Sequence, residues 1–61
     1  MNRVSIMGFG RFGATLHSLL SKGFEVDVYD KTSINNPEIN EVTILEALKN
    51  DIIFIAVPIR D

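Results

Sequence analysis

Cysteine is absent from this 61-residue chain, and histidine occurs once. The first absence excludes disulfides and thiolate metal sites. A domain this small buries only about 60% of the surface its unfolded chain exposes. Without covalent or metal staples it depends on its core, a ligand or a partner. Charge of one sign is also scarce. Six Lys and Arg stand against eight Asp and Glu, for a formal net charge of −2. No basic stripe is available for nucleic acid and no polybasic patch for a membrane surface. No apolar run approaches the roughly 20 residues that cross a bilayer. The stretch Met1 to Met7 is too short for a secretory leader and is interrupted by Gly8. The expected location is the cytoplasm. Repeats and low-complexity segments are missing too. With 46% hydrophobic and 23% charged residues, the composition is that of a folded domain rather than a disordered segment.

The hydrophobic pattern that is present alternates between two periods. Arg3 to Met7 reads as a strand on its β-branched Val4 and Ile6, with Gly8 at its end. Phe12 to Lys22 reads as a helix, with Phe12, Leu16, Leu19 and Leu20 as its apolar stripe. Gly23 follows as a left-handed terminator. Glu25 to Tyr29 has strand alternation, with Val26 and Val28 inward and Asp27 and Tyr29 on the strand surface. Lys31 to Asn40 is a loop of turn formers, and a very short strand fits Glu41 to Thr43. Thr43 and Glu46 form a T-x-x-E capping box that opens a helix from Ile44 to Lys49. Asp51 to Val57 encloses six consecutive apolar residues before Pro58, the pattern of a strand covered on both faces. The order predicts an α/β fold: a partial Rossmann-type parallel sheet of three to four strands with flanking helices. The expected spatial order is second strand, first strand, last strand. The whole chain, 1–61, reads as a truncated amino-terminal dinucleotide-binding unit without a catalytic or dimerisation domain.

One motif carries chemistry. Met7-Gly-Phe-Gly-Arg-Phe-Gly13 holds G-x-G-x-x-G between a strand and a helix. An acid, Asp30, ends the next strand 22 positions after Gly8, near the spacing of about 20 found in dinucleotide fingerprints. Gly8 permits the tight turn out of the strand. Gly10 lets a pyrophosphate approach the backbone. Gly13 lets the helix pack closely on the sheet. The helix amides then face the phosphates. Arg11 either contacts a phosphate oxygen or points into solvent, and Phe12 is placed in the helix stripe. Asp30 would accept from the ribose hydroxyls and repel a 2′-phosphate, which favours NAD; Lys31 offsets that repulsion and keeps NADP open. The loop-derived cofactor set is Gly8, Phe9, Gly10, Arg11, Phe12, Gly13, Asp30 and Lys31. A purely architectural turn is the competing reading. His17 lies inside the helix with no second ligand and no neighbouring nucleophile in the pattern, so it is read as a helix-flank residue and not as catalytic. No catalytic or metal residue is assigned.

With the loop, Asp30 and Asn50-Asp-Ile-Ile-Phe-Ile-Ala-Val-Pro-Ile-Arg-Asp61 in view, the chain resembles prephenate dehydrogenase, including its arogenate-specific relatives. That family often has a G-F-G-x-F-G loop and an apolar strand ending in A-V-P, matched by Ala56, Val57 and Pro58. The resemblance implies oxidative decarboxylation in tyrosine biosynthesis, with hydride transfer to NAD or NADP. It also implies that Val57, Pro58 and Ile59 lie near the cofactor. The family's hydride-transfer histidine and substrate-holding residues match nothing here, and His17 is not their equivalent. The family usually fits a further helix and strand after Asp30, where this chain has only a loop. A nucleotide-sensing regulatory module of the potassium-transport type, whose loop is G-L-G-R-F-G, is the alternative; the proline after the last strand argues against it. A structural fragment without activity is the third reading. Because the last strand is apolar and uncharged, self-association or pairing through its exposed edge is expected.

Overall fold

The computed structural model describes residues 3–57. Six elements follow one another: β1 (Arg3–Met7), α1 (Arg11–Leu20), β2 (Glu25–Tyr29), β3 (Asn40–Glu41), α2 (Ile44–Ala47) and β4 (Ile53–Ile55). The strands form one sheet in the order β3-β2-β1-β4, and every pairing is parallel. The expected order of second, first and last strand is therefore present, with β3 added outside β2. The short strand lies at Asn40–Glu41, one to two residues earlier than the sequence suggested.

Register explains the core. Val4 pairs with Val26 and Ile6 with Val28. Side chains alternate along a strand, so these four share one face. All four are buried, and Leu16 and Leu20 of α1 pack against them with Phe9, Ile34, Ile39 and Phe54. The intervening pair, Ser5 and Asp27, points to the other face. There the Ser5 hydroxyl donates to the Ala47 carbonyl of α2 at 2.6 Å. The two helices thus lie on opposite faces of the sheet.

That second face is polar inside, which corrects the assignment of Asp27 to the strand surface. Asp27 is buried. Its carboxylate accepts from Arg3 at 2.5 Å, from Asn40 at 2.7 Å and from Asn50 at 2.9 Å. Asn50 also donates to the Ser5 hydroxyl, and Arg3 pairs with Glu25. A buried carboxylate persists when its lone pairs are taken, and this one ties β1, β2, β3 and the end of α2 together. Tyr29, also assigned to the surface, is half-buried.

Four further expectations are corrected. The inward face of α1 is Gly13, Leu16, His17 and Leu20, while Phe12 and Leu19 are 62% and 60% exposed. Gly13 must touch the sheet, and each residue turns the helix by 100°, so its neighbour Phe12 is carried outward. Leu19 follows Phe12 seven residues later. Second, Gly23 is not left-handed; among the described residues Gly8 is the glycine with positive φ. The helix ends earlier than expected, because the Gly23 and Phe24 amides both donate to the Leu20 carbonyl and close the turn without such a residue. Third, α2 is four residues long, although its capping box is complete. Fourth, β4 is three residues long and covered on one face: Phe54 packs on the core, but Ile55 is 66% exposed.

Candidate dinucleotide site

The chain order places β1 between β2 and β4. From β1 the chain moves first to one side, through α1 to β2. After β3 it crosses to the other side, through α2 to β4. The carboxyl ends of β1 and β4 therefore flank a topological switch point, where open parallel sheets form their ligand crevice. The glycine loop follows β1 and Val57 follows β4, and Asp30 stands at the carboxyl end of the neighbouring β2.

The three glycines are held for different reasons. Gly8 has φ +108°, a conformation that side chains oppose. An added Cβ would also lie 2.8 Å from Val57 Cγ1 and 3.0 Å from the Ala56 backbone. The Gly8 amide donates to the Tyr29 carbonyl at 2.7 Å, and the Ala56 amide to the Met7 carbonyl at 2.8 Å. The loop is thus pinned between the ends of β2 and β4. At Gly13 an added Cβ would lie 2.2 Å from the Gly8 carbonyl oxygen, so the first turn of α1 rests directly on the loop. Gly10 differs: an added Cβ would meet nothing within 4 Å. Its φ of −80° is open to any residue. Neither packing nor backbone conformation demands glycine there.

Gly10 is the N-cap of α1 and offers no side-chain cap, and the first turn holds no acidic residue. The leading amides of the helix have no partner inside the helix, and the dipole makes that end favourable for anions. Arg11 and Phe12, the first two helical residues, are exposed. Phe9 is half-buried against the core, with its ring edge-on to His17 at 6.1 Å between centroids. His17 is a half-buried flank residue of the helix.

Asp30 is engaged in a way the sequence did not foretell. Its Oδ2 accepts from the Phe9 amide at 2.6 Å and its Oδ1 from the Thr32 amide at 2.9 Å. The Thr32 amide, then the Phe9 amide, hold its carboxyl below the ordinary value; partial burial opposes this and neighbouring Lys31 adds to it. Lys31 is exposed. Val57 is half-exposed beside Gly8. Pro58 and Ile59 lie outside the described residues. The structure brings Gly8, Phe9, Gly10, Arg11, Gly13, Asp30 and Val57 to one end of the sheet, with Phe12 and Lys31 at its rim. Among the described residues no group of three His, Asp or Glu side chains could hold a metal ion, and no helix is long and apolar enough to cross a membrane.

No protein-family model matches the chain, and neither the curated proteins nor the solved structures contain a match to it.

Proposed function

We propose that this chain is the dinucleotide-binding portion of an NAD(P)-dependent oxidoreductase, of the kind that prephenate dehydrogenase represents. The observation that carries the reading is Gly10. The fold itself accounts for Gly8 and Gly13, whereas the space beside Gly10 is open. A pyrophosphate needs that space to reach the backbone amides. The uncapped start of α1, free of acidic residues, supports the same placement. A bound NAD or NADP would supply hydride acceptance. The chain's own residues would bind and orient it: Gly8, Gly10 and the first amides of α1 at the pyrophosphate, Arg11 at a phosphate oxygen, Asp30 and Lys31 at the adenosine ribose, and Val57 as an apolar wall. A cytoplasmic location goes with this reading. So does pairing of the open edge of β4 with another strand.

Calorimetric titration with NAD and NADP tests it. Wild-type chain should bind one of them saturably. Gly10→Ala should keep the fold and lose at least tenfold in affinity, about 1.4 kcal/mol. A folded wild-type chain that gives no saturable heat with either dinucleotide would make the loop a turn and nothing more.

A further inference from the structure

The acid at the end of β2, Asp30, holds two backbone amides from different segments. Its two carboxylate oxygens accept from the amides of Phe9, inside the glycine loop, and Thr32, in the turn that leaves β2. The loop is otherwise fixed at its base by Gly8, through the Tyr29 carbonyl and the close approach of Ala56 and Val57. It is fixed at its far end by Gly13 lying on Gly8. Between these points runs Phe9-Gly10, where the Phe9 ring packs on the core, the Gly10 carbonyl accepts from the Ala14 amide at 2.9 Å, and the space beside the Gly10 Cα is open. Among the described residues, the Phe9 amide is the backbone donor of that span that a side chain takes up, at 2.6 Å from Asp30 Oδ2.

We propose that Asp30 is a positioning residue: by accepting from the Phe9 amide it holds the middle of the glycine loop open for a diphosphate, independently of any contact with a ribose. The relevance to a diphosphate rests on the dinucleotide reading above; the action on the loop does not. Each oxygen keeps a lone pair after taking one amide, so ribose contact remains compatible with the latch. Lys31 is the charged neighbour that acts on this carboxylate.

Three measurements on the 61-residue chain test this. In the wild type, the amide proton shifts of Phe9 and Thr32 are followed by NMR as pH falls from about 7 to about 2.5, a range spanning carboxylate protonation. They should move together with one midpoint below that of an ordinary aspartate. Independent or absent titration overturns the latch. Next, amide exchange is compared in Asp30→Asn and Asp30→Ala. Both remove the charge, but Asn keeps an oxygen that accepts. Phe9 should exchange at least about tenfold faster in the alanine variant than in the asparagine variant; equal rates overturn the proposal. Last, inorganic pyrophosphate, which has no ribose, is titrated into both variants. Weaker binding to the alanine variant is expected. Equal binding would mean that the latch does not shape the anion site. If the wild type binds neither pyrophosphate nor NAD while Phe9 and Thr32 titrate together, the dinucleotide reading falls and the loop-positioning role stands.

Discussion

At the scale of single residues, the glycine loop separates architecture from binding. Gly8→Ala forces a side chain into φ +108° and against Val57. Gly13→Ala drives a methyl into the Gly8 carbonyl. Each should lower unfolding free energy by about 2 kcal/mol, measured by urea denaturation. Gly10→Ala should cost under about 1 kcal/mol, since alanine is only a poorer N-cap than glycine. A large loss at Gly10 would show that the fold needs that glycine too. Asp27→Ala removes the acceptor shared by Arg3, Asn40 and Asn50 and leaves a donor of the half-buried Asn50 without its partner. Leaving such groups unpaired costs about 1–3 kcal/mol, and the same denaturation series reads it. Asp30 sets a pH dependence. Its folded carboxyl lies below the ordinary value, so the unfolded chain binds the proton first as acid is added. Its contribution is present above the unfolded value and disappears as pH falls through the folded one. Asp30→Asn should flatten that acid limb of a stability-versus-pH curve.

At the scale of elements, local signals decided where helices start better than which way they face. Thr43 accepts from the Glu46 amide at 3.2 Å, and the Glu46 carboxylate accepts from the Thr43 amide at 3.0 Å. These bonds involve residues three apart, so the sequence alone announces them. Thr43→Ala should cost about 1 kcal/mol, again by denaturation, and should fray α2 first. The rotation of α1 was not announced. Leucine and phenylalanine at helical spacing mark a stripe, but Gly13, with no side chain to score, sets the true face through its contact with Gly8. Asp27 was misplaced for the converse reason. Strand alternation says that it faces away from Val26 and Val28, and only α2 and Asn50, distant in sequence, make that other face an interior.

For the whole molecule, the two edges of the sheet differ. β3 is two residues long and carries Glu41, a short and charged edge of the protected kind. β4 carries no charge, pairs among the described residues with β1 alone and leaves Ile55 exposed. Open apolar edges recruit further strands, so sedimentation equilibrium should give a mass that rises above 6.8 kDa with concentration. Ile55→Lys should restore the monomer mass. A wild-type chain that stays monomeric throughout would mean that the edge is protected in another way.

The sequence by itself determined the alternation of elements, the parallel sheet and the position of its glycine loop. These follow from periodicity, caps and turn residues, all of which act within a few positions. It also placed Gly8 and Asp30 at strand ends and Gly13 at the start of a helix, because strand lengths fix where a loop emerges. Tertiary structure alone decided that Val57 and Ala56 leave no room for a side chain at Gly8, that Gly8 leaves none at Gly13, that Gly10 is not required by packing, and that Asp30 grips the Phe9 amide. It also made the buried Asp27 the centre of a part-buried network. Each of those outcomes depends on atoms brought together from residues far apart in the chain, at separations where one ångström decides between a contact and a clash.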